Sequence, residues 1–163
     1  MAARVDRPTI TGDAVEHYKR ICPGAPAIVF CASVLHAEHV AATFRAAWYR
    51  AESIDGTMPD ARRKRMIAGL ADGSIQILTS CEIISEGLDI PLVVAAILLR
   101  PTASLGLYMQ QVGRALRPAP GKDRAIILDH VGNCLRHGLP DDDREWTLAG
   151  RPKSEREGQA GGV

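Results

Sequence analysis

The period of the hydrophobic positions changes repeatedly along this chain. Ala27-Ile28-Val29-Phe30-Cys31 is an unbroken apolar run with the length of a strand buried on both faces. After it, Ala37, Val40, Ala41, Phe44 and Trp48 recur at helical spacing. That pattern predicts a helix capped by Ser33 with those five residues forming one core-facing stripe. A short strand follows from Ala51 to Asp55 and turns at Gly56. Thr57-x-x-Asp60 has capping-box spacing and Pro59 suits a first helical turn, so a second helix runs to about Asp72, where Gly73 ends it. Ile75 to Thr79 and Val93 to Leu99 read as strands on either side of a compact segment from Ser80 to Pro91. Ser104 caps a helix to about Leu116, Pro118 stops it, and Ala125 to Leu128 is the last core strand. A short helix from Gly12 to Ile21, ended by Cys22-Pro23-Gly24, precedes them all. Strand–helix alternation with short connections predicts an α/β fold, with a mostly parallel central sheet and helices on both faces.

A length of 163 residues suits one domain with one sizeable core. The expected division is 1–24 as lead-in and short helix, 25–137 as the core domain, and 138–163 as an acidic loop and weakly packed tail. Hydrophobic residues make up 46% and charged residues 24%, values of a folded domain rather than a disordered chain. The net charge of +1 gives no global attraction for nucleic acid, so any phosphate-binding surface has to be local. Cys22, Cys31, Cys81 and Cys134 form no C-x-x-C pair, which argues against zinc or a disulfide framework and fits a reducing cytoplasm. His36 and His39 lie three apart with no further residue to complete a ligand set, so no metal site is expected. No signal pattern and no apolar run of about 20 residues is present, so the expectation is a cytoplasmic protein without a membrane partner.

The chemistry gathers in Tyr108-Met109-Gln110-Gln111-Val112-Gly113-Arg114-Ala115-Leu116-Arg117. On a helix, Arg114 falls about 40° to one side of Gln110 and Arg117 about 20° to the other. Leu105, Tyr108, Met109 and Val112 take the opposite face. A core-anchored helix then presents one amide and two guanidinium groups in a stripe, and guanidinium forks grip phosphate oxygens at two points. An ordinary amphipathic helix with a solvated arginine face has the same pattern.

Gln110-x-x-Gly113-Arg114-x-x-Arg117 resembles motif VI of superfamily 2 helicases, and the segment from Ile77 to Pro91, with Thr79, Gly87 and Asp89, resembles motif V upstream of it. Ala27 to Ser33 is similar to motif IV, and Asp55-Gly56 with the basic helix after it is similar to the adjoining segment. The resemblance covers about residues 25–135. It implies the C-terminal RecA-like lobe, a three-layer sandwich, of a DEAD/DEAH-like helicase. The Gln form of motif VI points toward the DNA-repair, transcription-type and phage-type branches. By that resemblance Arg114, Arg117 and Gln110 are catalytic, and Gly87, Asp89 and Gly113 lie at the nucleotide. Ser33, Gly56, Thr79 and Ser80 contact a nucleic-acid strand, with DNA favoured over RNA. The implied cofactor is ATP with Mg2+, and the implied partner is an N-terminal RecA-like lobe, in cis or in trans.

The chain has no Gly-x-x-x-x-Gly-Lys-Ser/Thr loop and no Asp-Glu box. Hydrolysis needs that loop, its lysine and the metal-holding acid. The isolated chain is therefore expected to be inactive, holding half of an active site. The alternative is a non-catalytic RecA-like nucleic-acid-binding module that has lost its motor partner.

Overall fold

The computed structural model describes residues 8–81 and 93–144. Elements in chain order are α1 (Pro8–Ile21), β1 (Ala27–Phe30), α2 (Val34–Ala46), β2 (Ala51–Ile54) and α3 (Asp60–Asp72), then β3 (Ile77–Ser80), β4 (Ala95–Leu98), α4 (Leu105–Leu116), β5 (Ile126–Asp129) and α5 (Asn133–His137). The five strands form one sheet in the order β2-β3-β1-β4-β5, and every pair is parallel. This is the α/β three-layer architecture expected from the alternating pattern.

Strand register explains why β1 and β4 read as continuous apolar runs. Ala27, Val29 and Cys31 face one side with Ile77, Ala95, Ile97 and Leu99, where α1 and α2 pack. Ile28 and Phe30 face the other side with Leu78, Ala96 and Leu98, against residues of α3 and α4. A strand covered on both faces favours apolar residues throughout, as in β1 and β4; β3 is buried throughout as well but ends in Thr79 and Ser80. The edge strands β2 and β5 are only partly buried.

Local signals account for most helix ends. Ser33 caps α2 by accepting the His36 N–H at 3.1 Å, and Ser104 caps α4 by accepting that of Leu107 at 3.2 Å. Gly73 closes α3 with a left-handed φ of 82°. The capping box expected from Thr57 and Asp60 does not form. Pro59 stands at the N-cap with no side-chain cap, Thr57 donates its N–H to Asp55 Oδ1 at 2.7 Å, and Asp60 pairs with Arg63. Short polar side chains bond their own turn as readily as a helix end.

The α2 stripe also departs from expectation at one position. Ala37, Val40, Ala41 and Phe44 are buried, but Trp48 is 94% exposed. The helix stops at Ala46, and Trp48 adopts φ 68°, which swings it out of the stripe. Tyr49 enters the core instead, edge-on to Tyr18 and Phe44 at 5.0 and 6.1 Å between ring centroids. Helix α1 begins at Pro8, ahead of the expected Gly12, and buries Ala14 and Tyr18 against the sheet. No helix among the described residues is long and apolar enough to cross a membrane.

Candidate functional site

Parallel pairing fixes where the candidate residues fall. Successive strands leave the same edge of the sheet, so the loops after β1, β2 and β3 emerge side by side in the order β2-β3-β1. Phe30 and Ile54 are both register partners of Ser80. Ser33, Gly56 and Ser80 are thereby brought to one neighbourhood, with adjacent strands about 4.8 Å apart. Open α/β sheets offer ligands this edge, outside the strand C-termini.

Ser33 and Gly56 are accessible there, half-buried and exposed respectively. The Ser33 oxygen is occupied in capping α2, yet its hydroxyl can still donate to a ligand oxygen. Thr79 corrects the expectation made for it. It is fully buried, and its hydroxyl donates to the Ala37 carbonyl at 2.8 Å and lies 3.4 Å from that of Glu52. The side chain joins β3 to α2 and β2, and a phosphate has no approach to it in this conformation. Ser80 is 2% exposed, so its side chain too is shut off from a strand outside. Gly87 and Asp89 lie outside the described residues.

Helix α4 carries the second set. Tyr108, Val112 and Ala115 are fully buried, with Leu105 and Met109 packed beside them, so the expected anchor face is present. Gln110 is exposed, Arg114 half-buried and Arg117 exposed. Arg117 is not helical: it is the C-cap, with φ −61° and ψ 130°. The angular argument therefore applies to Gln110 and Arg114, while Arg117 follows at the extended exit. A Cβ at Gly113 would meet nothing within 4 Å, so the helix surface there is open. Lys122 holds the exit by donating to the carbonyls of Ala115 and, at 2.7 Å, Arg117. Burial lowers the pKa of that ammonium.

Because β4 and β5 are parallel, α4 must return the chain to the edge where β5 begins. Arg114 and Arg117 thus lie toward the strand N-termini, on the β4–β5 side. A crossover helix spans the sheet from edge to edge, so this end of α4 lies away from the edge that carries Ser33 and Gly56. The structure separates two candidate surfaces, one polar edge after β1 to β3 and one guanidinium-bearing helix end.

Pattern reading missed the residues that bind the second half of the sheet together. Arg100 donates to the Cys81 carbonyl at 2.7 Å, tying the ends of β4 and β3. Asn133 is buried, accepts the Thr102 N–H at 3.0 Å and donates to the Arg100 carbonyl at 2.9 Å. Asp129 accepts the N–H groups of Val131 and Cys134 at 3.1 and 2.7 Å. Burial opposes its ionisation, but these bonds hold its carboxyl below the ordinary value. A buried asparagine two elements away leaves no periodic signal in the sequence.

Each surface carries donors that suit a phosphate: guanidinium groups at the end of α4 and, on the other edge, a serine at the N-terminus of α2. Among the described residues no three His, Cys, Asp or Glu side chains gather as a metal site.

Comparison with known proteins identifies the family. Residues 13–119 match the model of the helicase conserved C-terminal domain. A 51.5 kDa protein of a Lactococcus phage is 38% identical over 138 residues, covering 85% of this chain and 30% of its own length. The putative mitochondrial ATP-dependent helicase irc3 of Schizosaccharomyces pombe is 34% identical over 130 residues, 80% of this chain and 21% of that protein. The chain thus spans less than a third of these relatives. Escherichia coli DEAD-box protein SrmB, solved bound to the regulator of ribonuclease activity A, superposes with a TM-score of 0.64 at 25% identity, covering 77% of this chain and 74% of that one. Most of the matched relatives and structures are RNA helicases or DEAD-box proteins, which overturns the expectation that DNA is favoured over RNA. The chain belongs to the helicase conserved C-terminal domain family, as a RecA-like domain of the superfamily 2 DEAD/DEAH type.

Proposed function

We propose that this chain is the second motor lobe of an ATP-dependent RNA helicase, acting with a first RecA-like lobe. The observation that carries the reading is the family match across residues 13–119, which takes in the anchored helix α4 together with Gln110, Arg114 and Arg117. Relatives named as ATP-dependent RNA helicases support the substrate class, as does DeaD of Mycobacterium tuberculosis at 35% identity over 78 residues. Likeness to the Lactococcus phage protein favours the phage-type branch of the family.

Arg114 and, at the exit of α4, Arg117 would hold the terminal phosphate of ATP, with Gln110 one turn before Arg114 on the same helix. ATP bound between the lobes would hold them closed, and hydrolysis of its terminal phosphoryl bond would let them reopen. The metal ion and the phosphate cradle fall to the first lobe, because the P-loop and its acid are missing from this sequence. Guanidinium forks contribute by neutralising charge that develops on the transferring phosphoryl group. Ser33, at the N-terminus of α2, donates to a backbone phosphate of the strand, and Gly56 allows close approach beside it. Such contacts position a strand without reading its bases.

The test is to supply the first lobe and measure ATP turnover with single-stranded RNA, duplex RNA and DNA. Turnover should require both lobes and respond most to RNA. Sustained turnover by the 163-residue chain alone would refute the half-site reading. RNA binding without any stimulation of a completed motor would favour the non-catalytic module.

A further inference from the structure

The end of α2 carries a residue that its geometry does not favour. The Trp48 N–H donates to the Arg45 carbonyl at 2.9 Å, and the Tyr49 N–H to that of Phe44 at 3.0 Å. These are the paired bonds of a Schellman cap, which needs a left-handed residue at its pivot, usually glycine. Trp48 occupies the pivot and is, among the described residues, the one non-glycine residue with positive φ. A Cβ in that region is penalised, and tryptophan recovers nothing by burial because its side chain stands 94% exposed. Neither the cap nor the core accounts for an aromatic side chain here.

Its surroundings do. Trp48 borders an open groove of about 400 Å³ whose lining includes Arg45, Arg50, Glu52, Ser74 and Ile75. Both arginines are fixed. Arg45 Nη1 donates to the Ala51 carbonyl at 2.9 Å. Arg50 donates through Nε to the Ser74 carbonyl at 3.1 Å and through Nη2 to that of Gly73 at 2.8 Å. Two cations against one carboxylate leave the groove net positive. It lies at the N-terminal end of β2, the sheet edge opposite Ser33 and Gly56.

We propose that Trp48 is a stacking platform for an unpaired base of single-stranded RNA, with Arg45 and Arg50 neutralising the adjoining phosphates. The proposal rests on the reading of the chain as an RNA motor lobe and adds a contact outside the motif-bearing segments. A π-face accepts any base and guanidinium groups attract the backbone, so the contact is sequence-tolerant. A peptide could also cover an exposed indole. Fixed guanidinium groups on a net-positive groove beside that indole instead match a ligand that is both planar and anionic.

The experiment is a fluorescence-anisotropy titration of the 163-residue chain with a labelled 12-nucleotide oligouridylate at low salt, comparing the unaltered chain with Trp48→Gly, Trp48→Tyr and Ser33→Ala, alongside thermal melts. Trp48→Gly should melt at or above the unaltered chain, because glycine suits the cap. It should bind the oligonucleotide roughly 5- to 150-fold more weakly, the fold-change carried by one base–aromatic stack. Trp48→Tyr should keep most of the affinity. Unchanged binding by Trp48→Gly overturns the proposal; if Ser33→Ala then weakens binding, the motor-lobe reading stands. A lowered melting temperature in Trp48→Gly also overturns it, by showing that the indole serves the fold. Competition by free uridine monophosphate as effective per nucleotide as the oligonucleotide overturns the assignment to a strand. Absence of RNA binding by the unaltered chain removes the RNA reading itself, and this proposal with it.

Discussion

Thr79→Val separates a structural threonine from a phosphate-binding one. Valine has nearly the same shape, so the substitution opens no cavity and changes only the hydroxyl. That hydroxyl donates to Ala37 at 2.8 Å and lies 3.4 Å from the Glu52 carbonyl, in a site with no exposure. The Ala37 carbonyl sits inside α2 and keeps its helical partner, so no buried acceptor is left bare. The loss should then be that of one net intramolecular hydrogen bond, about 0.5–1.5 kcal/mol. For a domain of this size that is a fall of roughly 2–4 °C in melting temperature per kcal/mol. Binding to single-stranded RNA, measured well below the transition, should stay within about twofold, because the side chain is not offered to solvent. A tenfold loss of RNA affinity at unchanged melting temperature would refute the reasoning, and would mean that the hydroxyl reaches the strand. The pairing of melt and titration matters, since a shared drop in both reports only the fold.

In a motor completed with a first lobe, Arg114→Ala and Arg117→Ala should each lower ATP turnover by about 10³–10⁵, with Arg124→Ala as an exposed control and lysine a poor substitute; turnover equal to the control's would assign both residues to surface charge. Asn133→Ala should destabilise the fold by about 1–3 kcal/mol, since it strands the Thr102 N–H and the Arg100 carbonyl that the amide joins, and a melt within 1 kcal/mol of the parent would show that water replaces it. Acid should weaken the docking of α1. Burial, and then the neighbouring His17 stacked at 5.1 Å, lower the pKa of His130 below its ordinary 6.5, while Asp13 and Asp129 oppose the shift. The unfolded state therefore binds more protons between the folded-state value and 6.5, so stability is full above 6.5 and is lost as pH falls through that window. Melts from pH 8 to 5 should show the loss and His130→Phe should flatten it. The carboxylates of Asp55 and Asp129, held below their ordinary 3.8, release their own stabilisation only in stronger acid.

The sequence by itself determined the architecture and the family. Apolar runs at Ala27–Phe30 and Ala95–Leu98 mark strands covered on both faces, and Ser33, Gly73 and Ser104 set helix ends through bonds within a few residues. Those signals are local, so they survive in one dimension. Motif spacing around Gln110 and Arg114 is local too, and it identified the helicase fold without any contact. What only the tertiary structure decided depends on groups distant in sequence. Thr79 was matched to a motif by position, but its hydroxyl is consumed by Ala37, 42 residues away. Trp48 fits the periodicity of α2 and leaves it because the helix ends two residues earlier, where Tyr49 wins the core by meeting Tyr18 across the layer. Arg117 keeps its motif position and loses its helical angle at the C-cap. Strand order placed the serine edge and the arginine-bearing helix end on opposite sides of the sheet, a relation that parallel pairing creates and that spacing along the chain does not encode.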